Sequence, residues 1–427
     1  MKKLYLLAVL LILFSYKLKA QKVDAKRMES RILALGEFGK NPQGGVTRLA
    51  FSEEDLEARE YTISLMEKAG LSVRIDAAGN IIGRRKGKKD DKPVIIFGSH
   101  IDSVPLGGNY DGDVGVIGAI EVIEMMNKNN IHTTHPLEVI VFCNEEGGLV
   151  GSSAVSGALS PEGLKVKSQV GLTMAEGIRK IGGNPDKIHE AIRNPEELKA
   201  FVELHIEQGS ILYDEGLEIG VVEGIVGIGW WDISIEGFAN HAGTTPMDKR
   251  KDAMVAASEL ILDINSIATT TPGKQVATVG RIEAKPGAPN VIPGEVVMSL
   301  EIRDLSQEKI DQIFKDIKTA SQEIEKKYDV QISFEEIELN IAPAPTDVTI
   351  RSLIVESAKE SGFKYKLMPS GAGHDAQDMA KITPTAMIFV PSVNGISHSP
   401  EEFTTPSDMA NGATVLYHTI LKIDKIK

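Results

Sequence analysis

Six residues scattered through this 427-residue chain are of types that bind divalent cations or move protons: His100, Asp111, the neighbours Glu145 and Glu146, His205 and His398. They lie in VIIFGSHIDSV, GGNYDGD, VIVFCNEEGG, FVELHIEQG and GISHSPEE, stretches that set a side chain at a strand end or in a glycine-rich loop. Imidazole nitrogen and carboxylate oxygen suit ions of the Zn²⁺ or Mn²⁺ type, and one carboxylate can bridge two of them. Two such ions about 3.5–4 Å apart can share and activate a water. On this reading His100 and His398 serve different ions, Asp111 bridges them, and Glu146 and His205 complete the set. Asp102, two residues beyond His100, is placed to orient a ligand imidazole. Of two adjacent carboxylates only one readily faces a given metal. Glu145 is then left to take a proton from water and pass it to a leaving nitrogen. Each stretch also has a plainer reading: a satisfied polar histidine, surface charge for the Glu pair, a simple turn for GGNYDGD. Their joint placement in one domain favours hydrolysis.

The elements that must position these residues follow from periodicity. Residues 26–38 and 53–69 have helical spacing, and VRIDAAGNIIGRRKG alternates and turns at Gly79-Asn80 as a hairpin would. PVIIFGSH, the helical GVIGAIEVIEMMNK and LEVIVFC make a βαβ unit, whose parallel strands need a crossover. His100 and the Glu145-Glu146 pair thus fall just past the carboxyl ends of neighbouring parallel strands, where open α/β sheets build their sites. Residues 220–336 follow a different order. WWDISIEG, a helix over 250–266, strands KQVATVGRIEA and GEVVMSLEIRD, a helix over 306–327 and strand VQISFEEI give β-α-β-β-α-β, a ferredoxin-like insert. The expected architecture is therefore an α/β catalytic domain, a mixed sheet with helices on both faces. It is built from residues 21–219 and 337–427 and interrupted by an α+β lid or dimerisation domain at 220–336.

A formal charge of −13 argues against nucleic acid or an anionic membrane surface as partner. Lys2 and Lys3, the apolar run from Leu4 to Phe14 and a polar stretch ending at Ala20 read as a secretory signal over residues 1–20, with cleavage before Gln21. This implies a periplasmic or secreted protein. Lys17, Leu18 and Lys19 are unusual beside a cleavage site, so an uncleaved membrane anchor is the alternative. The single cysteine, Cys143, lies in an apolar strand and reads as a buried thiol rather than a nucleophile.

The stretches GSHIDSVPLGGNYDGDVGVIGAIEV, FCNEEGG, ELHIEQG, GFANHAGTTPMDKRKDA, PNVIP, SGAGHDAQDMA and GISHSPEE together resemble the M20-type metallohydrolases. The similar branch contains allantoate amidohydrolases, N-carbamoyl-L-amino-acid hydrolases and β-ureidopropionases, and the match runs from about residue 26 to the end. The resemblance implies His100, Asp111, Glu146, His205 and His398 as ligands of two divalent ions (Zn²⁺ or Mn²⁺, with Co²⁺ able to substitute) and Glu145 as general base. It implies substrate contacts at Gln208, His241, Asn290, Arg303 and Gly371, and a small anionic ureido or carbamoyl substrate. It also implies a homodimer in which His241 and the Asn290/Arg303 pair reach the partner's metal site. The chemistry is consistent: Arg303 offers a planar fork for a carboxylate, and His241 can donate to an oxyanion. Arg303 could instead pair with Asp304 or a nearby Glu, and His374 could contact substrate or cap the following helix.

One departure stands out. Where the family continues its EEG motif toward Arg-Phe, this chain has Leu149-Val150, which loses any contact made by that Arg. Two other functions stay open at this level, an exported M20 aminopeptidase or dipeptidase and a non-catalytic small-molecule binder. LHIEQG and NHAGTTPM weigh against peptides, and an intact Glu145 weighs against the binder.

Overall fold

The structure is a computed structural model that describes residues 22–337 and 341–426. The expected export signal at 1–20 lies outside the described residues. The chain forms two compact units, one from the segments ending at Glu223 and resuming at Thr346, the other from Gly224–Pro345.

The larger unit begins with α1 (Ala25–Leu35), capped by the Asp24 side chain, and α2 (Glu53–Lys68), capped by Ser52. Met28, Ile32 and Leu35 of α1 are buried, as their helical spacing requires. The hairpin of β1 (Ser72–Ile75) and β2 (Ile81–Arg85) closes with the Asp76 N–H donating to the Asn80 carbonyl. Then come β3 (Val94–His100), α3 (Asp113–Lys128) and β4 (Leu137–Phe142), the expected βαβ unit. Every residue of β3 and β4 is buried, which is why both are mostly apolar, and the buried Glu138 within β4 is paired with Arg84 and Arg193. After α4 (Val150–Ser156) and α5 (Met174–Lys180) the chain forms β5 (Leu198–Ile206), α6 (Ile211–Glu215) and β6 (Ile219–Ile225).

The inserted unit contains β7 (Gly227–Glu236), β8 (Asn240–His241), α7 (Ala253–Thr270), β9 (Val276–Thr278) and β10 (Ile282–Lys285). It continues through β11 (Val291–Ile292), β12 (Glu295–Asp304), α8 (Gln307–Tyr328) and β13 (Gln331–Glu336). Its sheet runs β10-β12-β7-β13, antiparallel throughout, and β9 pairs with β12 beyond the end of β10. This is the ferredoxin-like order with one edge strand broken. KQVATVGRIEA, expected as a single strand, splits around residues 279–281. Its two pieces keep the same neighbour. On the buried face Ile233 and Ile235 pack against Ile310, Ile313 and Ile317 of α8, while Trp231 stacks on Phe314 with centroids 4.1 Å apart.

The chain returns through β14 (Ala344–Pro345), α9 (Val348–Ser361), β15 (Tyr365–Ser370), α10 (Asp375–Met379), β16 (Thr385–Val390) and α11 (Pro406–Ile423). The large sheet has the order β1-β2-β4-β3-β5-β16-β6-β14, with β15 also on β6. Its middle strands β4, β3, β5 and β16 are mutually parallel and the flanking pairings antiparallel, so the sheet is mixed. Val139 and Val141 join the main core under α1, α3 and α11, whereas the intervening register turns Phe142 toward Phe201 on the other face. The division at 220–336 needs correcting to Gly224–Pro345. β6 carries its sheet pairing with β16 through Gly220 and Val221, so the strand entered at 219 still belongs to the larger sheet at the expected boundary. Among the described residues no helix is long and apolar enough to cross a membrane.

Candidate metal centre

The parallel strands β4, β3, β5 and β16 all point their carboxyl ends the same way, and each delivers part of one cluster. His100 is the last residue of β3, Glu145 and Glu146 follow β4, His205 is next to last in β5, and His398 lies in the loop after β16. Asp111 comes from the loop between β3 and α3. That loop passes directly over the His100 ring at Gly112 (φ +67°), where a β-carbon would collide with the imidazole. Glycine is thus required by both the backbone angle and the close approach.

Asp111 is the centre of the cluster, and its two oxygens face different histidines. Oδ1 lies 3.0 Å from His205 Nε2 and 3.7 Å from His100 Nε2. Oδ2 lies 3.2 Å from His398 Nε2, whose same nitrogen is 3.6 Å from Glu146 Oε1. Two groups of potential ligand atoms, His100/Asp111/His205 and Asp111/Glu146/His398, therefore meet at one carboxylate. Glu145 sits on the first side, its Oε2 3.7 Å from His100 Nε2. His100 Nε2 and Glu146 Oε1 are buried without a hydrogen-bond partner, and buried His205 Nε2 has only Asp111 Oδ1 to face. Buried polar atoms are normally satisfied, so two convergent orphans of metal-ligating type, one on each side of Asp111, fit a pair of cations.

The ring orientations are set from behind. His100 Nδ1 meets the Asp102 main-chain carbonyl at 3.0 Å, and His205 Nδ1 meets the Ile206 carbonyl at 2.9 Å. A carbonyl only accepts, so each Nδ1 carries a proton and each Nε2 is turned toward the cluster. Asp102 thus acts differently from the sequence expectation. Its main chain orients His100, and its carboxylate accepts the backbone N–H groups of Glu145 and Glu146, both at 3.1 Å. Two adjacent amides past the end of β4 have no strand partner, and the buried carboxylate supplies one.

Burial would raise the Asp111 carboxyl, but the charge and hydrogen bond of His205, with His398 and His100, outweigh it and hold Asp111 well below the usual range. Burial pushes His100 down to about 4. Burial first, and then the charge of Glu146, push Glu145 well above the usual carboxylate range, and burial with repulsion from Asp111 raises Glu146 to about 8. The cluster holds more acid than its imidazoles offset. Cations would displace protons from these groups and relieve that excess.

Gln208, in a left-handed conformation (φ +58°), donates from Nε2 to Asp111 Oδ2 at 2.6 Å. Gly371 is exposed in the turn after β15. The remaining expected substrate residues belong to the inserted unit. His241 pairs with Val291 across β8 and β11, and Asn290 accepts the Ala242 N–H, so those two are neighbours. His241 Nδ1 accepts the Gly243 and Thr244 N–H groups, which leaves Nε2 outward on an exposed side chain. Arg303 makes the alternative ion pair, binding Glu301 rather than Asp304, at 2.8 Å. Val150, at the point of departure from the family pattern, is buried with Phe51, Cys143 and Met174.

Sequence reasoning passed over several residues of the cluster. His374, read from the sequence as a substrate contact or a helix cap, is buried against His205 with ring centroids 4.5 Å apart and makes no side-chain cap to α10. Glu203 accepts from Ser99 Oγ and the Ala376 N–H, and Glu402 accepts from the Asp111 loop. Glu203 alternates with His205 on one face of β5, a signal that periodicity did carry.

Residues 96–422 match the profile of the Peptidase family M20/M25/M40. The chain is 43% identical over 406 residues to the N-carbamoyl-L-amino acid amidohydrolase of Geobacillus stearothermophilus, covering 94% of this chain and 99% of that one. It is 34% identical over 413 residues to the allantoate amidohydrolase of Bacillus subtilis, covering 95% and 100%. A solved amidase of the hydantoinase/carbamoylase family from Burkholderia multivorans superposes with a TM-score of 0.87 at 36% identity, over 94% of this chain and 98% of that one. A likeness that runs through both units is more than a shared motif. The chain belongs to the peptidase family M20/M25/M40, in the hydrolase branch of the carbamoyl-acid and allantoate amidohydrolases.

Proposed function

We propose that this protein is an exported, dinuclear metal-dependent amidohydrolase that cleaves the carbamoyl C–N bond of an N-carbamoyl-L-amino acid, with allantoate as the next substrate to test. The observation that carries the dinuclear reading is Asp111, whose two oxygens face His205 and His398 separately. The higher identity to an N-carbamoyl-L-amino acid amidohydrolase than to an allantoate amidohydrolase supports that order of substrates.

His100, Asp111 and His205 would hold one cation and Asp111, Glu146 and His398 the other. When bound, ions of the Zn²⁺, Mn²⁺ or Co²⁺ type supply Lewis-acid charge stabilisation and acidify water near neutral pH. Glu145 accepts the proton of the attacking water and returns it to the leaving nitrogen as the C–N bond breaks. The amino acid departs, and the carbamate fragment decomposes to ammonia and carbon dioxide. Gln208 gives up Asp111 Oδ2, whose lone pair is wanted elsewhere, and turns its amide to substrate together with Gly371. Arg303 and Asn290 hold the substrate carboxylate, and His241 Nε2 donates to the developing oxyanion. In this proposal those three act on the partner subunit's site in a homodimer. Export rests on the charged and apolar pattern of residues 1–20.

The reading is tested with purified protein stripped by a chelator and assayed on N-carbamoyl-L-amino acids, allantoate and dipeptides. Activity on the carbamoyl acids should vanish and return with Mn²⁺, Zn²⁺ or Co²⁺. Equal turnover by stripped protein, or preference for dipeptides, would contradict it.

A further inference from the structure

Glu402 lies at the crossing of two loops that are nearly 300 residues apart in the chain. Its side chain is almost fully buried, 4% exposed. Oε1 accepts the backbone N–H groups of Tyr110 at 2.9 Å and Asp111 at 3.1 Å. Oε2 accepts the Ser397 hydroxyl at 2.8 Å and the His398 N–H at 3.3 Å. One oxygen thus serves the loop that carries Asp111, and the other serves the loop that carries His398. Ser397 Oγ also reaches Asp111 Oδ2 at 3.2 Å, which ties the two loops directly. Gly108 confirms how tight the fit is, because a β-carbon there would run into the Glu402 carboxylate. Neighbouring Glu401, by contrast, is exposed.

We propose that Glu402 is a positioning residue, a carboxylate clasp that fixes the distance between Asp111 and His398 and thereby sets the affinity of the second cation position. The inference rests on the dinuclear reading above. Its physical basis is that a loop presenting a ligand has no strand ladder to hold it, so its amides must find acceptors elsewhere. Here one buried charge accepts from both loops. Charge-assisted bonds of this kind are stronger than neutral ones, and partners outside the ligand shell typically hold about 10–100-fold of metal affinity. His398 needs this help most. Its backbone is left-handed (φ +53°) and its side chain is 47% exposed, so little packing restrains it.

The test is cation affinity on the full chain, measured with Zn²⁺ against a chromophoric chelator, alongside the melting temperature of the cation-free protein. Glu402→Ala removes the acceptor of three backbone amides and one of the two acceptors of the Ser397 hydroxyl, and should weaken the more weakly bound Zn²⁺ about 10–100-fold. Glu402→Gln keeps the volume but exchanges one acceptor for a donor, and should fall between. Gly108→Ala keeps the charge but displaces it, and should weaken the same cation. A merely structural role would lower the melting temperature and leave the affinity of the folded protein unchanged. That result in either Glu402→Ala or Gly108→Ala overturns the clasp, and Gly108→Ala decides alone if Glu402→Ala does not fold. Wild-type protein that binds no Zn²⁺ would instead overturn the metal-centre reading itself.

Discussion

Glu145 and Glu146 are adjacent past β4 and hang from the same carboxylate, Asp102, by their backbone amides. Their side chains part company there. Glu146 Oε1 approaches His398, and Glu145 Oε2 approaches His100 on the other side of Asp111. The two glutamates should therefore fail differently. Glu145→Gln should lower kcat by about 10²–10⁴-fold while both cations still bind, a separation that metal analysis beside steady-state kinetics reads directly. Asp102→Ala removes the acceptor of both amides, and should weaken cation binding by about 10–100-fold in a chelator competition. The candidate ligand types and their strand-end contexts were legible in the chain because a histidine at the end of a mostly apolar run is a local pattern. Glu402 was not, because its four donors come from residues on both sides of a gap that only the tertiary fold closes. Asp102 was expected to orient a ligand imidazole with its carboxylate, which instead accepts two backbone amides, since a sequence does not say which way a carboxylate turns.

The strands made this site easy to foresee. β3, β4 and β16 are buried along their whole length and are apolar apart from Glu138, Thr385 and the last two residues of β3, so their carboxyl ends could be placed to within a residue or two. The loops were harder, and one buried ion pair shows why. Arg48, between α1 and α2, is 1% exposed and donates to Asp113 at 2.6 Å and to the carbonyls of Ile101 and Leu35. It thereby grips both ends of the segment that carries Asp102 and Asp111. In TRLAF it looks like any arginine. Arg48→Met should destabilise the fold by about 3–5 kcal/mol, the usual cost of stranding one partner of a buried pair, as read from urea unfolding. A loss below about 1 kcal/mol would mean that Asp113 finds another partner. The inserted unit was recognisable from the alternation of β7 and β12, and its edge was misplaced because β6 changes neighbours along its length without any change in composition.

The whole molecule divides its proposed work between two units. All the candidate metal ligands lie outside Gly224–Pro345, and His241, Asn290 and Arg303 lie within it. Thr346 donates its N–H to the Glu223 carbonyl, so the chain leaves and returns side by side. Replacing 224–345 with a short turn should therefore give a protein that binds cations but does not turn over substrate. The proposed dimer predicts complementation. Mixing inactive Glu145→Gln and His241→Ala subunits should restore about a quarter of wild-type activity, since half of randomly paired dimers would carry one intact shared site. No recovery would place His241 in its own subunit's site. The central claim is narrower than any of these: Asp111 joins two cations. Metal analysis of Zn²⁺- or Mn²⁺-loaded protein after equilibrium dialysis tests it most directly. Two ions per chain in the wild type, with both weakened together in Asp111→Ala, is the predicted result. One ion per chain in the wild type, or two retained by Asp111→Ala, would contradict it.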